Sequence, residues 1–310
     1  PQHREALALR GAALAINYDM TAAEDAVSAY EALAPGSPDA VLEVGRALSE
    51  ARQYDEAAAY LRRAAERAPK WSVPLVELGL VLNQAGRDQE ARDALSDAAR
   101  LDPFNVRAGN TLRMLDGLLE FATIEGEHFI VHYRVDKPGE PPGANQVMAR
   151  EMIPVLEKIH ATVAGNGPGG IAHEPAVKTQ IDLMPDHASF AVRIAGMPQI
   201  HTIAAATGPV IAMEAPREGA GHQGPYDWAR VVQHEYTHTV TLSRTRNRIP
   251  HWFTEAAAVY LELSPRDYNA VQLMTGAFAA DKLFDFEKIN LAFIRPEKPT
   301  DRGQAYAQGH

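Results

Sequence analysis

The sequence predicts an all-α helical-repeat array over residues 1–118 followed by an α+β domain over residues 119–310, and three observations carry this. Small and apolar residues recur every 34 positions as far as Leu118. The helical period of apolar residues then gives way to two-residue alternation. Further on, a helix-like stretch holds His234-Glu-Tyr-Thr-His238, a spacing that puts two imidazoles on one helix face.

The repeats come first. Residues 38–71 and 72–105 align without a gap: Val41, Val44, Gly45, Leu48, Ala57, Leu61, Ala64 and Pro69 recur as Leu75, Leu78, Gly79, Leu82, Ala91, Leu95, Ala98 and Pro103. A weaker copy runs from Arg4, with Leu7, Gly11, Leu14, Ala23 and Pro35 in register, and a fourth begins near Val106 and contributes one helix. One helical hairpin cannot cover its own apolar face, so neighbours must stack, and roughly three units suffice. The pattern resembles the tetratricopeptide repeat, in which glycine and alanine mark the closest helix approach and proline the end of the second helix. That resemblance implies either a protein or peptide partner on the repeat domain or a rigid spacer beside a second domain.

Alternation opens the second domain, with Phe129, Val131, Tyr133 and Val135 on one side and Glu127, His132 and Arg134 among those between. A helix is expected over residues 145–163, interrupted or restarted at Pro154, and then a Gly/Pro-rich loop near Asn166. Further strands fit Val177 to Met184 and Gly208 to Met213. Strands first and helices afterwards suggest a small sheet packed on helices.

On the helix around residues 226–242, His234 and His238 can both direct a ring nitrogen at one ion about 2.0–2.1 Å away, leaving Glu235 to handle protons. Catalytic zinc normally takes three protein ligands and keeps a fourth position for water. The third is offered by Glu255 in Ile249-Pro-His-Trp-Phe-Thr-Glu255-Ala-Ala-Ala-Val-Tyr-Leu-Glu262, where Pro250 suits a first helical turn and the alanines permit close approach. His128, His132, His160, His173, His187, His201 and His222 show no ligand spacing, and His251 is expected to be exposed.

This constellation resembles the gluzincin metallopeptidases, and within them the bacterial peptidase-MA-like domains that often follow tetratricopeptide repeats. The likeness rests on the strand near Phe129, the His234 motif, the segment from Pro250 to Glu255, the stretch from Gly276 to Phe293, and Ala305-Tyr-Ala-Gln308. It covers nearly all of residues 119–310 and departs from the usual pattern at Ala256 and Ala257. It implies a zincin-like fold, one zinc ion per chain held by His234, His238 and Glu255, and Glu235 as general base for peptide hydrolysis. Tyr306, with His310 behind it, becomes the candidate oxyanion donor. An edge strand that grips a peptide or protein substrate is expected at Gly208, Val210, Ala212 and Glu214. Ala212-Met-Glu214 faintly echoes the segment with which zinc aminopeptidases bind a free N-terminus, which makes aminopeptidase activity one alternative reading. A repeat scaffold with a catalytically silent zinc domain is another.

Composition narrows the field. With 46% apolar residues over 310 positions, two cores can be buried. No cysteine is present, so any metal must be held by imidazole and carboxylate. The charge of −10 is shared evenly, 13 Lys and Arg against 18 Asp and Glu in residues 1–118 and 17 against 22 in the rest. Nucleic acid is therefore not an expected partner. No apolar window spans a membrane. A cysteine-free chain fits a bacterial cytoplasm or periplasm equally. It starts at Pro1 without an initiator methionine, so any upstream signal or anchor would lie outside it, and it stops within an expected element, so the second domain is expected to be truncated at its C-terminus.

Overall fold

The computed structural model describes residues 3–135, 143–262 and 268–309. The chain divides into two compact units, one of Pro1–Ile124, Val131–Ala149 and Gln180–Gly224, the other of Glu125–Ile130, Arg150–Thr179 and Pro225–His310. The expected boundary after residue 118 thus lies inside the first unit, because residues 180–224 pack with the repeats.

The repeats form α1 (Arg4–Ile16), α2 (Met20–Leu33), α3 (Asp39–Glu50), α4 (Tyr54–Arg67), α5 (Ser72–Gln84), α6 (Asp88–Leu101) and α7 (Val106–Leu118). The 34-residue period has a packing cause. A Cβ on Gly45 would meet Leu61 Cγ at 2.8 Å, and one on Gly79 would collide with Leu95 in the same way. Both pairs lie at the crossing of a hairpin, where only a hydrogen lets the backbones approach. Ala57, Leu61 and Ala64, with their counterparts Ala91, Leu95 and Ala98, are fully buried there.

Beyond the repeats come β1 (Ala122–Glu125), β2 (Phe129–Tyr133), α8 (Ala144–Val163), β3 (Thr179–Leu183), α9 (His187–Ala195), β4 (Ala204–Ala206) and β5 (Val210–Met213). The sheet runs in the order β1-β2-β3-β5-β4, with β5 parallel to β3 and antiparallel to β4. The expectation at Pro154 is corrected: α8 continues through it. Pro154 is exposed, and the buried stripe Met148, Met152, Leu156, Ile159 and Val163 holds the helix from the other side.

Within the first unit, α9 packs against α5 and α7. Its Arg193 is buried and reaches three partners: Asp182 Oδ2 at 2.7 Å, Asp88 Oδ1 at 3.1 Å, and the Asn83 carbonyl oxygen at 2.7 Å. Tyr54 donates to the Thr207 carbonyl at 2.6 Å, and Thr207 donates to that of Gln84 at 2.7 Å. The repeat array therefore already carries a segment of its own chain.

The second unit contains α10 (Trp228–Thr245), α11 (His251–Leu261), α12 (Tyr268–Ala279), α13 (Phe286–Ile294) and α14 (Asp301–Gly309). Asp227 caps α10, accepting from Arg230 N–H at 3.2 Å. Pro250 stands at the N-cap of α11, one position before the predicted first turn. No described helix is long and apolar enough to cross a membrane.

Candidate metal centre

α10 and α11 pack against each other and bring His234, His238 and Glu255 together. Glu255 Oε2 lies 3.5 Å from His234 Nε2, and Glu255 Oε1 lies 3.6 Å from His238 Nε2. One ligand atom from each residue fits within 4.8 Å of the other two. His238 and Glu255 are buried, and His234 is nearly so.

The second ring nitrogens explain why both Nε2 atoms point inward. His234 Nδ1 donates to Glu262 Oε1 at 2.7 Å, and His238 Nδ1 pairs with Thr254 Oγ1 at 2.9 Å. Thr254 is held in turn by Thr241 at 2.7 Å. A ring engaged at Nδ1 keeps Nε2 for a ligand, and an acidic partner raises its donor strength.

The group fits a cation on two grounds. Glu255 Oε2 is a buried carboxylate oxygen with no hydrogen-bond partner, which is costly unless a positive charge meets it. The donor set, two imidazoles and one carboxylate, is of a kind that can hold a divalent ion such as zinc.

In the metal-free chain protons take over this role. Burial works to lower His234, but Glu255 and Glu262 outweigh it and push it up to about 10. Burial works to raise Glu255, yet His234, His238 and His251 bring it down to about 2. A cation taking His234 Nε2 must displace that proton.

Two more residues reach the group. Tyr306, on α14, lies near enough to Glu255 to feel its charge, and its hydroxyl is pushed above the ordinary range by burial first and by Glu255 second. Its ring packs edge-on against Phe293 with centroids 4.9 Å apart. Glu235 is half-buried, and its charge acts on both His234 and Tyr306. His310 lies outside the described residues.

Several expectations need correction or addition. Gly208, Val210, Ala212 and Glu214 do not form an edge: β5 is bonded on both sides, and the sheet's edges are β1 and β4. Val210, Ala212 and Glu214 are all buried. Glu214 accepts from Gln223 N–H at 2.8 Å and lies 3.2 Å from His222, so its carboxylate is already committed. His251, expected to be exposed, is only partly so, and its Nε2 stands 3.5 Å from Glu255 Oε1. Glu262 and Thr254 were not singled out by sequence reasoning. The usable signal was spacing, since Glu262 follows Glu255 by two helical turns and so shares its face.

No protein-family model matches the chain, and no curated protein matches it. Among solved structures, 37% of this chain is similar to a mutant of the O-GlcNAc transferase of Thermobaculum terrenum at 27% identity. The match spans 22% of that chain with a TM-score of 0.30, too low to carry an argument about fold or function.

Proposed function

We propose that the second unit is a zinc-dependent peptidase in which His234, His238 and Glu255 hold the ion. The carrying observation is the convergence of two Nε2 atoms on a buried Glu255 carboxylate, 3.5 and 3.6 Å away, beside an intact Glu235. When bound, zinc acts as a Lewis acid that polarises a carbonyl and lowers the pKa of water toward 7. Glu235, next to His234 in sequence but off the ligand face, accepts the proton of the attacking water and delivers it to the leaving amine. Tyr306 is protonated at neutral pH, as any phenol with a pKa of about 10 or above is, and burial and Glu255 shift it further upward. It can therefore donate to the oxygen on which negative charge develops.

The competing reading is a repeat scaffold that binds a peptide or protein and does not turn it over. The two differ at Glu235→Gln. Zinc-loaded wild-type chain is incubated with a mixed peptide library, and products are read by mass spectrometry. The peptidase reading expects cleavage by wild type and a loss of at least about 100-fold in the variant, with zinc content unchanged. Absence of cleavage by wild type, or equal cleavage by both, overturns it. An aminopeptidase would spare N-acetylated peptides, whereas equal cleavage of blocked and free ones identifies an endopeptidase. The committed carboxylate of Glu214 gives the aminopeptidase reading no support.

A further inference from the structure

The arrangement at Glu255 occurs a second time in the same unit, among histidines whose sequence spacing carries no ligand signature. His128 precedes β2, His160 lies near the end of α8, and Glu174 sits in the segment after that helix. His160 Nε2 stands 3.0 Å from Glu174 Oε2, and His128 Nε2 stands 3.9 Å from Glu174 Oε1. Here too each Nδ1 is engaged elsewhere. His128 Nδ1 meets Glu157 Oε2 at 2.5 Å, and His160 Nδ1 meets the Tyr236 hydroxyl at 2.7 Å. Glu157 also accepts from the His128 backbone N–H at 3.1 Å, which fixes the side the ring presents.

His128 Nε2 faces a carboxylate oxygen too distant for a direct hydrogen bond, which leaves room for an ion between them. The His128 and His160 rings are also stacked, with centroids 3.5 Å apart and planes inclined by 10°. One ligand atom from each of His128, His160 and Glu174 lies within 4.8 Å of the other two, so a single cation can meet all three.

We propose that His128, His160 and Glu174 form a second divalent-metal site of the zinc class, with Glu157 and Tyr236 orienting the two imidazoles. Glu174 is exposed, which leaves an entry path and a position for water. The ion ties three segments of the unit to one another. Through Tyr236, buried on α10 between His234 and His238, it also braces the helix that carries the motif. Its role is thus to position that helix.

The test counts ions. Untagged full chain is stripped with a chelator, titrated with zinc, desalted and weighed by native mass spectrometry, alongside Glu174→Ala, Glu255→Ala and the double variant. The expected result is two ions in wild type, one in each single variant and none in the double. His128→Gln should lose the same ion as Glu174→Ala. Glu174 is exposed, so its removal does not threaten folding, and circular dichroism verifies this for every variant. Equal ion counts in wild type and Glu174→Ala overturn the second site. A single wild-type ion lost in Glu174→Ala but kept in Glu255→Ala upholds it while removing the peptidase reading, so the two failures are distinguishable.

Discussion

Replacing Glu262 by Gln should weaken zinc binding although the side chain touches no ion. Its Oε1 takes the Nδ1 proton of His234 at 2.7 Å, and its Oε2 lies 3.3 Å from Arg230 Nε. Both members of the His234–Glu262 pair have side chains less than one-fifth exposed, 17% and 16%, so solvent screens the contact only in part. Gln keeps an acceptor but removes the negative charge that strengthens Nε2 as a donor. Loss of such a partner costs about 10–100-fold in metal affinity, or about 1.4–2.7 kcal/mol. Thr254→Val at His238 removes a neutral partner at 2.9 Å and should cost less, since neutral hydrogen bonds are about half as strong as charge-assisted ones. Zinc affinity is measured by competition with a chromophoric chelator at fixed pH, with thermal melts of the metal-free proteins confirming the fold. A Glu262→Gln affinity within about twofold of wild type, or a greater loss in Thr254→Val, would refute the reasoning.

The repeats and the buried Arg193 cluster give independent stability tests. Gly79→Ala should destabilise the chain by about 1–3 kcal/mol in urea melts, because the new methyl collides with Leu95 and comes within 3.2 Å of the Ala91 carbonyl oxygen. Gly117→Ala, with nothing within 4 Å, should instead stabilise by up to about 1 kcal/mol through helix propensity. Arg193→Met strands Asp182 in the core and should cost about 3–5 kcal/mol at pH 7. Burial works to raise the Asp182 carboxyl, but Arg193, His132 and Gln180 outweigh it and hold it below the ordinary range. The stability this contributes is complete above the unfolded value, about 3.9, and is lost as pH falls toward the folded one. Asp88 acts with the opposite sign: burial raises it against Arg193, so its ionised form is a cost that fades on acidification. The gap in melting temperature between wild type and Arg193→Met should therefore narrow below about pH 4. A gap that is constant to pH 2 would contradict this assignment.

The parts of the fold legible in the sequence were those set by local period. Gly45 and Gly79 recur 34 residues apart because each meets a leucine of the next helix, Leu61 and Leu95, that recurs with the same period. His234 and His238 share a face for the same local reason. The edge expected from Gly208 to Glu214 is instead the inner strand β5, and its unbroken apolar run Val-Ile-Ala-Met fits a strand buried on both faces. α9 is not among the expected elements, yet Asp186 accepting from Ser189 N–H at 2.7 Å and Gly196 in the left-handed region are ordinary start and stop signals for it. Tyr306 beside Glu255, and Glu174 beside His128 and His160, depend on tertiary packing that no spacing along the chain encodes.

Zinc between α10 and α11 is tested most directly by an anomalous difference map at the zinc edge from crystals of the zinc-loaded chain. A peak is expected about 2.0–2.1 Å from Nε2 of both His234 and His238 and bonded to a Glu255 oxygen, absent in Glu255→Ala. A map with no peak between α10 and α11 would contradict the proposed zinc site.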